Sequence, residues 1–420
     1  MDSTPAATTS RLRVLHTSDW HLGRTLGHRK RYAEFDAFLD WLLATIVSQR
    51  IDLLLVAGDV FDTGAPSNRA QGQYYRFLNR VTASPCRHVV VIAGNHDSPT
   101  FLDAPAELLR DLDVHVVGAA TAEPQDAVRV LRDSRNAVEA IVCAVPYLRD
   151  RDLRTVDPDE SVQDKDQKLL DGIRAHYQAV CDHAERIRVQ LPRPVPLIAM
   201  GHLFTAGGAT VDGDGVRDLY VGSLVHVNHQ IFPPVIDYLA LGHLHVPQTV
   251  GGRETMRYSG SPLPMGFGEA RQQKSVCLIE FTGSTPRVEL IQIPCFQRLE
   301  RIGGDWPTLE SRLQALVAQD SDAWLEVSYD GDAVAGDLRA RIDAIVANSR
   351  LDVIKVRNRR VIERATNLGN ATETLDDLTE QEVFTRCLDA NAVPGVQRPA
   401  LLEAYAEILH GVHTDDTRAA

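Results

Sequence analysis

From Arg11 to about Gln292 the chain repeats one pattern: short apolar runs that end in polar residues, alternating with helical patterns. The runs are RVLHTSD, IDLLLVAGD, HVVVIAGNHD, IVCAVPY, PLIAMGH and DYLALGH. Runs this short, and apolar without alternation, read as strands buried on both faces. Helical patterns separate the early ones. Tyr32, Phe35, Phe38, Leu39, Leu42, Leu43 and Ile46 recur at three-to-four spacing, and Pro66–Val81 and Asp103–Leu112 behave alike. Strands alternating with helices predict an α/β domain whose sites lie beyond the carboxyl ends of the strands. Here the polar clusters begin where the apolar runs stop.

A chain of 420 residues is long enough for two or three units. Residues 1–10 read as a disordered tail and 11–292 as the α/β domain. Residues 293–362 alternate FQRLERI, AWLEVSYD and LDVIKVRN with the helical patterns WPTLESRLQALVAQ and AGDLRARIDAIVANS, a compact β-α-β-α-β unit. Residues 363–420 hold a polar linker, ATNLGNATET, and two short helices. The first opens on Thr379-Glu380-Gln381-Glu382, which has the spacing of a capping box. The second starts near Pro399 and carries Leu401, Leu402, Tyr405, Ile408, Leu409 and Val412 on one stripe.

Six scattered cysteines without a Cys-x-x-Cys pair argue against a zinc ribbon or a disulfide framework and fit a reducing compartment. The start, MDSTPAATTS, has neither the basic residues nor the apolar core of a secretory signal. No apolar run is long enough to span a bilayer. The expectation is a cytoplasmic protein with no membrane contact. The formal net charge of −13 bears on partners. Nucleic-acid binders are usually basic, so any attraction to DNA must come from metal ions, local basic patches or a partner.

Five clusters carry the chemistry: Asp19-Trp20-His21, Gly58-Asp59, Gly94-Asn95-His96-Asp97, Gly201-His202 and Gly242-His243-Leu244-His245. Each alone has an ordinary explanation as a turn, a cap or solvated histidines. Jointly they form a donor set of Asp, Asn and His without Cys, suited to manganese, iron or zinc. In extended backbone, residues i and i+2 project to the same side, so Asp19 with His21, and His243 with His245, can converge. Asp59 can bridge two cations with its two carboxylate oxygens. The glycines before Asp59, Asn95, His202 and His243 permit tight turns and close backbone approach.

GDVFD, GNHD, GH and GHLH in this order, after an N-terminal D-x-H, resemble the calcineurin-like metallophosphoesterase superfamily. TSDWHLGRTL, LVAGDVFDTGAPS, IAGNHDSP, DYLALGHLH and RYSGSPLPMGFGE are closer still to its SbcD nuclease-subunit family. The resemblance implies a sandwich of two mixed β-sheets flanked by helices, with a small α+β capping domain and C-terminal helices. It implies one metal on Asp19, His21, Asp59 and His245 and a second on Asp59, Asn95, His202 and His243, usually manganese. His96 would face the scissile phosphate, and Asp97 would orient or tune it unless it is a plain turn residue. Asp62 stands where some relatives carry a second catalytic histidine, which puts that role in doubt here. The resemblance further implies DNA as substrate, 3′-to-5′ exonuclease and hairpin endonuclease activity, and a nucleoid-associated place in repair and recombination. The implied assembly is a homodimer bound to two copies of a coiled-coil ATPase, SbcC. Tyr74, Tyr75, Phe77 and Leu78 read as apolar surface beyond one helix face's needs, available to the two-fold partner.

Weaker features keep two readings each. Arg24, His28, Arg29, Lys30 and Arg31 could meet a DNA backbone or form a solvated helix start; Arg24 and Arg29 are the named candidates. Arg357, Arg359 and Arg360 read as ordinary charged surface. His226 and His229 match no ligand position. Ser261, in the turn Tyr258–Pro262, is a weak candidate for substrate contact. Two rival functions stand beside the nuclease: a phosphoesterase for small molecules or phosphoproteins, since the metal motifs are shared, and a non-catalytic scaffold.

Overall fold

The computed structural model describes residues 11–121, 123–153, 161–205, 228–331 and 338–358, with scattered positions between Phe384 and Tyr405. It divides into two compact units, Met1–Phe296 and Gln297–Ala420.

In the larger unit two six-stranded sheets form the centre. The first runs, edge to edge, Thr285–Gln292, Ser275–Thr282, Arg11–Thr17, Leu53–Ala57, His88–Ile92, Val114–Val117. Its last four strands are parallel, and the Ser275–Gln292 hairpin adds antiparallel to Arg11–Thr17. The second runs Gln248–Val250, Arg253–Tyr258, Tyr238–Gly242, Leu197–His202, Val138–Ala144, Val128–Arg132. Its four inner strands are parallel and both edges antiparallel.

The unbroken apolar runs follow from this layering. In Leu53–Ala57, Leu53, Leu55 and Ala57 face the core between the sheets, with Leu12, Val90, Ile198, Met200 and Ala240. Leu54 and Val56 face the opposite way, onto the helices Tyr32–Ser48 and Asn68–Thr82. The second sheet's outer face is covered by the helix Val162–Arg188 through Tyr177, Val180 and Cys181. Both faces of each central strand are therefore dry, and polar alternation has no place in them. The result is a sandwich of mixed sheets flanked by helices.

The smaller unit holds a parallel sheet, Leu299–Gly304, Trp324–Tyr329 and Asp352–Asn358, with the helices Trp306–Ala318 and Leu338–Val346. Ile302, Leu309, Leu313, Leu325, Val327 and Ile342 form its core. Asp305 caps the first helix, accepting the Thr308 N–H at 3.1 Å. The capping box at Thr379, Arg359, Arg360 and most of the two C-terminal helices lie outside the described residues. Of those helices, Phe384 and Tyr405 stack with ring centroids 4.0 Å apart.

Two expectations change. Asp103–Leu112 is not one helix; two short ones, Pro99–Asp103 and Ala106–Arg110, meet at Pro105, which has no N–H to continue the ladder. Tyr74, Phe77 and Leu78 are not surplus surface for a two-fold partner but are buried in the chain's own core. Within Pro99–Leu112, Leu108 and Leu112 are exposed.

Trp20 anchors the first metal motif. It is fully buried, donates Nε1–H to Thr17 Oγ1 at 3.0 Å, and meets Phe38 and Phe77 edge-on at 6.0 and 5.4 Å. Trp20→Ala is expected to cost about 3–5 kcal/mol in urea unfolding of the full chain. It should also weaken metal binding, since Asp19 and His21 flank it. A loss under about 1 kcal/mol would show that the ring is no anchor.

Candidate metal centre

The site forms where five strands of the two sheets end. Residues there leave the sheets through the left-handed region: Asp19 at φ 54°, His21 at 48°, Gly58 at 87°, Asp59 at 49° and His243 at 103°. Such backbone costs about 1–3 kcal/mol per non-glycine residue and persists only where neighbours enforce it. The enforcement is visible. Asp19 N–H donates to Gly58 O at 3.0 Å, His21 N–H to Asp59 O at 2.9 Å, and Leu22 N–H to Val60 O at 2.9 Å. The extended-backbone reason for pairing Asp19 with His21 is therefore wrong, although the two do converge. His243 and His245 do not converge; they serve different clusters.

In the first cluster Asp19, His21 and His245 bring ligand atoms within 4.8 Å of one another. In the second, Asp59, His202 and His243 do the same. His21 Nε2 faces His245 Nε2 at 3.1 Å. Asn95 Oδ1 lies 3.0 Å from His202 Nε2 and 2.9 Å from His243 Nδ1. Two ligands about 2.1 Å from one ion and at right angles to each other stand about 3 Å apart, so these spacings fit a shared cation. Asp59 links the clusters. Its Oδ2 lies 3.6 Å from His21 Nε2 and 3.3 Å from His202 Nε2. Its Oδ1 instead accepts the His96 N–H at 2.8 Å, so one oxygen, not two, stands between the clusters. Gly94 makes room for it: a Cβ there would lie 2.2 Å from Asp59 Oδ1.

Further contacts orient the rings. His202 Nδ1–H donates to Ala57 O at 2.9 Å, which turns Nε2 toward Asp59. His245 Nδ1 lies 3.4 Å from Glu269 Oε1, and Glu269 is paired in turn with buried Lys274. His21 Nδ1 lies 3.4 Å from Asp62 Oδ1, and His96 Nδ1–H donates to Asp62 O at 2.8 Å. Burial and nearby imidazoles push His243 down to about 3, and burial takes His21 to about 4, so both offer bare nitrogens at neutral pH. Burial opposes the Asp59 charge, yet the imidazoles of His202, His21 and His96 hold its carboxyl well below the usual range. Burial lowers His202 too, but the Asp59 charge and hydrogen bond prevail and raise it to about 9. The cluster attracts positive charge.

Known proteins resemble this chain in sequence. A family model described as calcineurin-like phosphoesterase matches residues 12–247, and one described as Type 5 capsule protein repressor C-terminal domain matches residues 295–392. The chain is 37% identical to the SbcD component of the SbcCD nuclease of Escherichia coli strain K12, over 95% of this chain and 98% of that one. The chain belongs to the SbcD family. Its Rhodobacter capsulatus counterpart is 38% identical over 66% of this chain and 68% of its own. The Bacillus subtilis counterpart is 37% identical over 64% and 66%. As an SbcD-family member this is a metal-dependent phosphoesterase, a nuclease subunit with its divalent-ion donors in place. No helix among the described residues is long and apolar enough to cross a membrane.

Against the SbcD expectations, the seven metal residues assemble, and His96 borders the first cluster, with its ring 4.8 Å from that of His21. Four other assignments need correction. Asp97 does not touch the His96 ring; its carboxylate accepts N–H bonds from Gly94, Val60 and Phe61, clamping two loops together. Arg24 is engaged by Asp62 at 3.0 Å and Met265 O at 3.3 Å, so it buttresses the site. Arg31 is buried against Glu34 and Pro264 O. Ser261 is fully buried, with its hydroxyl spent on Leu263 O and Lys274. Arg29 stays exposed, on a two-residue strand following the first motif. His229 joins no ligand group among the described residues, and His226 lies outside them. Sequence reasoning missed Glu269 and Lys274, and it missed the orienting role of Asp62. Their signal in sequence is thin: Glu269 follows a glycine-rich turn, Lys274 ends a polar stretch before an apolar run, and Asp62 sits in the GDVFD turn.

Asp59→Ala is expected to remove both ions, because one oxygen serves both clusters. Glu269→Gln should lower affinity about 10–100-fold at the His245 side alone. Metal content after equilibrium dialysis separates the two. One ion retained in Asp59→Ala with near-normal activity would refute the linking role.

Proposed function

We propose that this chain hydrolyses phosphodiester bonds of DNA at a pair of manganese ions, as the nuclease subunit of a complex with a coiled-coil ATPase of the SbcC type. The observation that carries the reading is the single Asp59 oxygen standing between two clusters of donors with His96 alongside. Asp19, His21, Asp59 and His245 would hold one ion; Asp59, Asn95, His202 and His243 would hold the other. Bound divalent ions supply positive charge for the non-bridging phosphate oxygens and a lowered pKa for water. The chain's own residues do the rest. His96 donates its Nδ1–H to Asp62 O in a hydrogen bond, so Nε2 has a proton to give to the phosphate or to the departing sugar oxygen when the ring is the imidazolium, which the proton transfer returns to the neutral form. A positioned acid of this kind contributes about 10²–10⁴-fold. Asp97 keeps His96 in place indirectly, by tying the GNHD loop to Val60 and Phe61.

An acidic chain must draw DNA by local means. Exposed Arg29 and Lys30 supply cations just beyond the first motif. The assembly we propose is a homodimer joined to two ATPase subunits in the cytoplasm at the nucleoid, with 3′-to-5′ exonuclease and hairpin-opening activity. Exposed Leu108 and Leu112 support a two-fold contact near Pro99–Leu112. Residues 363–420 would dock the ATPase, laying an apolar helix face in a groove of the partner.

His96→Ala should abolish cleavage of end-blocked hairpin DNA in manganese while two ions stay bound. Loss of both ions would make His96 a ligand, and hydrolysis of phosphoserine but not DNA by the wild type would favour the small-substrate phosphoesterase. Truncation after Arg364 should preserve metal binding and basal nuclease activity but eliminate ATPase association. Full-strength co-purification of the truncated chain would refute the docking.

A further inference from the structure

At the opposite end of the sandwich, where the parallel strands begin, lies a second group of metal donors. His88 opens the strand His88–Ile92, and Asp113 and His115 stand at the start of its neighbour Val114–Val117, with Val90 paired to His115 in register. The three bring ligand atoms within 4.8 Å of one another. They line a cavity of about 460 Å³.

The ring of His88 is set up to give a lone pair there. It is 5% exposed. Its Nε2 lies 3.0 Å from Arg132 O and 3.0 Å from Glu139 Oε1, both acceptors, so Nε2 carries the hydrogen. Nδ1 of the neutral ring is then bare, and it is buried without a hydrogen-bond partner. A buried acceptor without a partner costs about 1–3 kcal/mol. A carboxylate behind one imidazole nitrogen is also the arrangement that orients metal-bound histidines. Burial and the neighbouring Arg129 push His115 down to about 4, so that ring is neutral near pH 7. Asp113 reaches the group from a left-handed backbone, φ 56°. The nearby guanidinium of Arg87 is already matched by Asp52 at 2.7 Å and Glu139 at 2.6 Å.

We propose that His88, Asp113 and His115 bind a third divalent ion, of the zinc class, independently of the phosphoesterase centre. Two imidazoles and one carboxylate suit zinc, cobalt or nickel, not calcium or magnesium. Cys86 on the same wall is no thiolate competitor: burial pushes its thiol up to about 12, and Sγ–H donates to His88 O. Three protein ligands leave a coordination position open toward the cavity. The ion would join the starts of two adjacent strands and hold Asp113 in its strained conformation.

The test uses the full chain, stripped with a chelator and dialysed against Zn²⁺ alone, with zinc counted per chain. Wild type should hold one ion more than His115→Ala or Asp113→Asn. Both variants should keep wild-type manganese-supported cleavage, which shows that they fold. Cobalt substituted for zinc should give visible absorption that either change reduces. Unchanged zinc content and affinity in both variants would overturn the proposal, as would a third ion held only at millimolar zinc. An Asp59→Ala chain separates the two sites: it should lose ions from the phosphoesterase centre and keep the His115-dependent one.

Discussion

The position of the Asp59 carboxylate governs this molecule. Oδ2 lies between His21 and His202, which belong to different clusters and different sheets. Oδ1 holds the His96 amide, so one side chain fixes both the charge at the centre and the loop that carries the candidate acid. A fully enclosed carboxylate is unfavourable without compensation, and three imidazoles provide it. Moving this group by the length of one bond would disturb both donor clusters together.

The fold keeps the group in place by ending five strands of two facing sheets at one edge. Leu53, Leu55 and Ala57 pack into the core between the sheets, and Leu54 and Val56 pack beneath helices. The strand that delivers Asp59 is therefore gripped on both faces. The left-handed turns at Asp19, His21 and His243 set side-chain directions that straight strands would not give, and they send His243 and His245 to different clusters. Their conformational cost is met by backbone bonds from Asp19 to Gly58 and from His21 to Asp59.

Two carboxylates extend that order outward. Asp62 uses its side chain on His21 and its carbonyl on His96, so one residue orients a candidate metal donor and the candidate acid at once. Glu269 and Lys274 do similar work behind His245, with Ser261 as part of their support. The chain is acidic overall, so any attraction for a phosphodiester has to come from local positive charge.

By itself the sequence determined the strands, their ending points and the donor set. A continuous apolar run can be satisfied only with both faces covered, and Asp, Asn and His recurring after successive runs make jointly a donor set suited to divalent ions. The layout of the smaller unit was legible for the same reason. Tertiary structure alone decided which donors share a cluster. His243 and His245 are two residues apart yet separate, because the chain turns through φ 103° at His243 and period-two reasoning fails there. It also decided that Asp97 clamps backbone, that Arg24 supports Asp62, and that Ser261 and Arg31 are enclosed. Those roles depend on contacts between segments far apart in the chain, such as Lys274 with His245 O and Arg31 with Pro264 O, and local pattern carries no record of them.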